Sequence, residues 1–270
     1  MSLASIAALE EARAARGMAA IADTSLPIAG GVATRGTPGS WVNTAVGLGL
    51  AGPVDPADVD RLIDFHASAG IEPRIELAAT ADPTLFQALS DRAFVLRSIE
   101  YVFARDLRDA QGFATPAPHP EGLTIEVLDK NDHDAARLHA SVAMTGFVPE
   151  GVVLDDSILQ AGIRTVLHPE TISVLARIRG TPAGSAAMAL GGRVAGLFGA
   201  SVLPEFRRRG IQQALLAARL RFARELGASL ATIGSRPDAG TERNVRRMGF
   251  FLAYAKPILV RPGQGLAPNL

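Results

Sequence analysis

Two stretches of the chain run through the same succession of patterns, and this repetition limits the fold more than any other feature. The first starts with the strand-like "NTAVGLGL" and the helix-like "DPADVDRLIDFHASA". It continues with "EPRIELAA" as strand and "DPTLFQALSDR" as helix, and ends on "AFVLRSIEYVFAR", read as closing strands. The second runs "RVAGLFGASV" (193–202), "GIQQALLAARLRFAREL" (210–226), "ASLATIG" (228–234), "AGTERNVRRM" and "GFFLAYAKPILV" (249–260), the last as one or two closing strands. A constant shift that sets Phe94 on Phe250 also sets Leu96 on Leu252, Arg105 on Arg261 and Asp82 on Asp238. Strands alternating with helices imply an α/β or α+β sheet with helices on its faces, a three-layer α+β (α/β) architecture. An internal duplication is the economical source of the repeat.

Between the repeats, "DLRDAQGFATPAPHPEG" (106–122) carries Pro116, Pro118 and Pro120. Alternating prolines favour extended, semi-rigid backbone, so this stretch reads as a linker. The sequence thus divides into 1–110, a proline-rich 111–121, and 122–270. The last part opens with "LTIEVLD" as strand and "NDHDAARLHASVAMTG" as a helix capped by Asn131 or Asp132. "DDSILQAGIRTVL" reads as a second helix with Asp155 and Asp156 as N-cap and first-turn acid, and "TISVLARIRG" with "TPAGSAAMAL" as a hairpin. Its order is β-α-α-β-β-β-α-β-α-β-β. In the helix at 210–226, Ile211, Leu215, Ala218, Phe222 and Leu226 form an apolar stripe, and Arg219, Arg221 and Arg224 lie off it.

Composition narrows the function classes. Of the 270 residues 48% are hydrophobic and 20% charged, which describes a globular chain with ample core. The 27 basic and 27 acidic side chains cancel, so nothing steers the whole molecule toward nucleic acid or a membrane. Aromatic residues, at 5%, are too few for a stacking surface for nucleic acid. The absence of cysteine removes disulfides, thiolate metal ligands and a cysteine nucleophile, and suits a reducing cytoplasm. The five histidines (His66, His119, His133, His139, His168) show no metal spacing, so no metal is expected. The N-terminal "MSLASIAALEEARAARGMAAIA" is broken by Glu10, Glu11, Arg13 and Arg16 before it reaches signal-peptide length. No apolar run reaches the roughly 18 residues of a membrane span. Together these features point to a cytoplasmic protein, monomer or homodimer.

Against this neutral background, "VLPEFRRRGIQQALLAARL" (202–220) gathers Arg207, Arg208, Arg209 and Gly210 between a strand and a helix. The first turn of a helix has unpaired N–H groups and partial positive charge. Cations there are disfavoured unless an anion joins them, and the dipole alone contributes only about 0.3–1 kcal/mol. Arginines add charge-assisted, bidentate contacts to phosphate oxygens, and Gly210 lets backbone come close. The arrangement suits a pyrophosphate, though neither G-x-x-x-x-G-K-S/T nor G-x-G-x-x-G is present. The equivalent turn of the first repeat, "LAGPVDPADVD", has no arginine and carries Asp55, Asp58 and Asp60, which repel a phosphate.

"SVLPEFRRRGIQQALL" resembles the acetyl-CoA signature Q/R-x-x-G-x-G/A of the GNAT superfamily of N-acyltransferases, and "TERNVRRMGF" resembles that family's helix-to-closing-strand segment. Gln212 stands at the final small position, a departure. The resemblance covers about 122–261 and implies a mixed, mostly antiparallel sheet flanked by helices, duplicated in this chain. It implies acetyl-CoA as cosubstrate and a small-molecule amine or peptide as acceptor. Ser201, Val202 and Leu203 would pair with the pantetheine arm, and the splay would use the small residues Gly199, Ala200 and Ser201. The backbone from Arg208 through Arg209, Gly210 and Ile211 to Gln212, with Arg207, would hold the pyrophosphate, and Asn244 would reach the arm. The first part would then be a degenerate copy. The family's helix tyrosine, a donor to the leaving thiolate, is replaced here by Val245. Tyr254 and Ser235 are the candidates left, and a non-catalytic acyl-CoA sensor is the rival reading. In the loop "TGFVPEGVVLDD", Glu150 suits an amine, and Phe147 and Pro149 suit an apolar ligand.

Overall fold

The computed structural model describes the chain except residues 109–111, 116–117, 146–155 and 269–270. The backbone gathers into two compact units. Unit 1 is Met1–Val102 with Leu252–Leu270, and unit 2 is Phe103–Phe251. The chain thus passes between them twice, after Val102 and after Phe251.

In unit 1, helix α1 (Leu3–Ile21) is followed by strands β1 (Thr24–Ile28), β2 (Gly31–Arg35) and β3 (Thr44–Val46). Then come α2 (Pro56–Ala67), β4 (Arg74–Glu76), α3 (Pro83–Ser90) and β5 (Val95–Asp106), whose last residues, from Phe103, belong to unit 2. The β1–β2 hairpin turns through Ala29 (φ 48) and Gly30 (φ 79), the left-handed pair that matches strand twist. The final strand of the chain, β11 (Phe251–Val260), joins this sheet, whose order is β1-β2-β3-β4-β11-β5. The β3–β4 pairing is parallel, and β4–β11 is antiparallel. Ala33, Ala45 and Ile75 share one face with Val59 and Leu62 of α2 and Leu85 and Leu89 of α3. Helix α1 packs on β2 and β3, where an added Cβ on Gly47 would stand 3.5 Å from the Glu11 carbonyl.

Unit 2 contains β6 (Leu123–Val127), α4 (His133–Met144), α5 (Asp156–Leu167), β7 (Thr171–Ile178), β8 (Thr181–Gly191) and β9 (Val194–Val202). These are followed by α6 (Ile211–Glu225), β10 (Leu230–Ser235) and α7 (Gly240–Arg247). Its sheet order is β10-β9-β8-β7-β6, antiparallel except for the parallel β9–β10 pair. Leu107, just past β5, donates its N–H to Ser229 O at 3.0 Å. The β7–β8 turn again uses a left-handed pair, Arg179 (φ 49) and Gly180 (φ 84). Asp132, not Asn131, caps α4, its carboxylate accepting from the Ala135 N–H at 2.8 Å. Asp155 lies outside the described residues. Val174, Ala176 and Ala186 pack under Ile211 and Leu215 of α6. The other face carries α4 and α5, where Thr145, the C-cap of α4, stands 3.3 Å from the Ser201 hydroxyl.

The helices flanking the sheets are those expected from the patterns, and the mixed, mostly antiparallel pairing is the one that the resemblance implied. Moving β3-α2-β4-α3-β5 by the shift that sets Phe94 on Phe250 lays the last four elements onto α6-β10-α7-β11. One strand, not two, closes the chain. One expectation about a helix face fails. Arg219 is not off the apolar stripe but is 1% exposed, in a stretch of α6 from Gln213 to Leu220 that is buried throughout. Both faces of that part of the helix are covered, so periodicity could not reveal it.

Candidate functional site

The site begins where β9 leaves β10. The parallel register runs Val194↔Leu230 to Leu197↔Ile233 and stops, while β9 continues through Val202 and β10 through Ser235. Past Leu197, the edge of β9 that faces away from β8 therefore has no strand partner among the described residues. On its other edge β9 is irregular. Ser201 pairs with Ser185 and Phe198 with Ala187, so Gly199 and Ala200 together oppose Ala186. This bulge uses Gly199 at φ +60, a left-handed conformation that needs no Cβ. Gly184, opposite Val202, is required for a different reason, because an added Cβ would meet the Ser201 carbonyl at 2.7 Å. The small residues of the segment thus stand where a strand bulges and separates from its neighbour.

Val202 and Leu203 lead into a single 3-10 turn, Pro204–Phe206, closed by the Phe206 N–H to Leu203 O at 2.9 Å. Arg208 (φ 62) and Gly210 (φ 78) are left-handed, and α6 starts at Ile211. A non-glycine residue so placed costs of order 1 kcal/mol and persists where the surroundings dictate it. The N-cap Gly210 supplies no side chain, and the first helical hydrogen bond is Ala214 N–H to Gly210 O at 3.0 Å. The N–H groups of Ile211 and Gln212 consequently have no partner in the helix.

Arg207, Arg208 and Arg209 are all exposed, and none forms an ion pair with a described residue. Arg207 Nε donates to Val202 O at 3.2 Å, and the Arg209 guanidinium lies 5.7 Å from the Phe206 ring centre. Three cations are thus gathered at the positive end of a helix that no side chain caps. That arrangement fits an anion carrying two phosphates.

Gln212, the departure from the motif, turns its amide away from the helix axis. Its Nε2 donates to Thr241 Oγ1 at 3.3 Å, and its Oε1 accepts from Asn244 Nδ2 at 2.7 Å. Gln213 Nε2 donates to Asn244 Oδ1 at 3.2 Å. Asn244 is therefore tied to both glutamines, and the N-terminal turn of α6 is fastened to α7. The structure brings Ser201, Val202, Leu203, Arg207, Arg208, Arg209, Gly210, Ile211, Gln212 and Asn244 together in one unit.

Tyr254 belongs to unit 1 instead. Its buried hydroxyl donates to Glu11 Oε1 at 2.6 Å, and burial together with the Glu11 charge pushes its pKa far above the ordinary phenol value. The same Glu11 oxygen lies 2.9 Å from Lys256 Nζ, which also reaches Glu76 at 3.3 Å. Burial pushes the Glu100 carboxyl of that unit up to about 7, and the Glu76 charge adds to the shift. Ser235 Oγ donates to Arg236 O at 3.1 Å, and Val245 is 1% exposed. His139 is buried in unit 2, with Nε2 3.1 Å from Ala186 O. Among the described residues no His, Asp or Glu cluster has metal-site geometry, and no helix is long and apolar enough to cross a membrane. Phe147, Pro149 and Glu150 lie outside the described residues.

The sequence reading missed Arg219, Gln213 and Thr145. Asn244 and the glycine at 210 pointed to the α6–α7 neighbourhood, but no periodicity marks an arginine buried inside a helix.

Comparison with known proteins agrees with this geometry. Residues 144–250 match the model of the Acetyltransferase (GNAT) family. A GCN5-related N-acetyltransferase from Kribbella flavida has a TM-score of 0.70 at 24% identity, over 97% of this chain and 98% of that one. A functionally unknown conserved protein from Staphylococcus epidermidis has a TM-score of 0.60 at 13% identity, over 87% and 92%. A tandem GNAT protein from the clavulanic acid biosynthesis pathway has a TM-score of 0.60 at 13% identity, over 86% and 78%. No curated protein matches the sequence. The chain shares the fold of these proteins.

Proposed function

We propose that the protein is an N-acetyltransferase that moves an acetyl group from acetyl-CoA to an amine by direct attack in a ternary complex. The observation that carries the reading is the splayed β9–β10 edge leading into an α6 N-terminus with no side-chain cap, beside three exposed arginines that form no ion pair with a described residue. The free edge of β9 through Ser201, Val202 and Leu203 offers backbone groups to a pantetheine arm lying like an added strand. The N–H groups from Arg208 to Gln212, with Arg207, hold the pyrophosphate. In the reaction the amine nitrogen forms a bond to the thioester carbonyl carbon, the C–S bond breaks, and the amine loses a proton while the thiolate gains one. N–H groups on β9 aimed at the carbonyl oxygen would stabilise the charge that develops there.

The first part, 1–110, is proposed to be a degenerate GNAT copy that does not bind CoA, an arrangement in keeping with the tandem neighbour. A cytoplasmic location and a small-molecule amine or peptide acceptor complete the reading. One observation favours a second reading, a non-catalytic acyl-CoA-binding module. Tyr254 is committed to Glu11, and Val245 stands where the helix tyrosine would be, so neither supplies a proton to the leaving thiolate. Calorimetry with CoA, followed by thiol release from acetyl-CoA with a panel of amines, separates the possibilities. Binding with turnover supports the transferase, binding without turnover on any amine supports the module, and no binding at micromolar concentration rejects both.

A further inference from the structure

Arg219 heads the large side chains that are wholly buried, at 1% exposure in the middle of α6. Its Nε donates to Leu215 O at 3.2 Å, one turn back on its own helix. Its Nη1 donates to two strand carbonyls, Ala187 O at 3.0 Å and Phe198 O at 3.3 Å. No carboxylate of a described residue pairs with it, and burial pulls its pKa down to about 9. A buried cation without a counter-charge is expensive, and such groups persist where dipoles or hydrogen bonds offset the loss of water.

The location of those two carbonyls is informative. Ala187 and Phe198 form the β8–β9 pair at which the register slips, with Gly199 and Ala200 bulging just beyond. Phe198 is also the first β9 residue past the end of the parallel β10 ladder at Leu197↔Ile233. The guanidinium therefore grips β9 at the joint between its bulge and its splay. A bulge leaves a ladder carbonyl without its regular donor, and the buried donor supplies what the neighbouring strand cannot.

We infer that Arg219 is a positioning residue of the acetyl-CoA site, its guanidinium pinning Phe198 and Ala187 so that β9 leaves β10 in one fixed direction. The inference rests on the acetyl-CoA reading above. It goes beyond that reading because Arg219 acts from within the core, through backbone carbonyls, on the strand edge that would receive the thioester. A side chain that merely filled the core would be replaceable by methionine without consequence for ligand geometry.

The test compares the full-length protein with Arg219→Met, Arg219→Lys and Gly199→Ala, each titrated with CoA and with acetyl-CoA and examined with acetyl-CoA carrying 13C at the carbonyl. The ratio of the two dissociation constants and the bound carbonyl resonance report the acetyl end, which general loss of stability does not move selectively. In Arg219→Met, acetyl-CoA should weaken roughly tenfold relative to CoA, as expected for misplacement by a fraction of an ångström. The bound resonance should move toward that of the free thioester, and Arg219→Lys should recover part of both effects. If circular dichroism shows that Arg219→Met does not fold, Arg219→Lys and Gly199→Ala decide, the second straining the same bulge without touching the cation. Parent-like ratios and resonances in the folded variants would overturn the inference and leave the CoA site standing. Failure of the parent to bind CoA would remove the reading beneath it.

Discussion

Two turns of this chain lead from a parallel strand into a helix, and they resolve the same problem in opposite ways. In unit 1 the strand β3 ends at Val46, where its pairing with Glu76 of β4 ends, so no free edge is left over. The helix that follows is capped by its own chain. Asp55 accepts from the Ala57 N–H at 2.9 Å, Pro56 needs no partner, and Asp58 adds an acid to the first turn. In unit 2 the strand β9 outruns its ladder, and α6 starts on a left-handed glycine with no side-chain cap, beside three exposed arginines that form no ion pair with a described residue. The unit 1 helix start carries its own carboxylates, and the unit 2 helix start carries none. Element order is thus shared, while the chemistry of the helix start differs.

The largest effect should come from the structural side of this contrast. Lys256→Met strands the carboxylates of Glu11 and Glu76 in unit 1 and should cost about 3–5 kcal/mol in thermal or urea unfolding. CoA affinity of the folded fraction should not change, and a loss of affinity at constant stability would break the division of labour between the units. Next comes Gly210→Asp, which sets a carboxylate where α6 has none. Calorimetry should show CoA binding weakened roughly 100-fold, the scale of losing charge-assisted contacts worth about 3 kcal/mol. Arg207→Ala should weaken CoA roughly tenfold, with a shallower dependence on salt than the parent shows, since an exposed cation acts through a screened field. A parent-like salt dependence in that variant would argue against a role for Arg207 in holding the pyrophosphate. The smallest effect is expected for Asp55→Ala, which removes a helix cap worth about 1 kcal/mol from stability and nothing from CoA affinity. Equal effects of Asp55→Ala and Arg207→Ala on CoA would dissolve the comparison.

The elements of unit 2 were legible because each carries its own local signal. Strand alternation, the Arg179–Gly180 turn and the helical spacing of Ile211, Leu215 and Phe222 act over a few residues, and the order of elements follows from them. The turn and helix start around the arginines were legible for the same reason. Proline, arginines and glycine at fixed offsets before an apolar stripe specify a turn and a helix start wherever the rest of the chain lies. The repeat was legible as well, since a constant shift can be read without coordinates.

Other features depended on which residues meet. The residues of β11 look like the closing strand of the second repeat, yet they lie between β4 and β5, held there by Leu77 N–H to Pro257 O at 2.9 Å and by Lys256 between two carboxylates. Nothing in a strand's alternation names its neighbour, because backbone hydrogen bonds are the same for any partner. Tyr254 reads as a candidate proton donor on the closing strand, and its hydroxyl instead donates to Glu11 because α1 brings that carboxylate to it. Arg219 reads as a solvent-facing cation and is buried because the strand bulge at Phe198 supplies carbonyls for it. The sequence by itself determined the elements, their order and the arginine-rich turn before α6, all of which rest on interactions between near neighbours. Tertiary structure decided which strand completes which unit and which charged groups leave water, because burial and pairing arise between residues far apart in the chain.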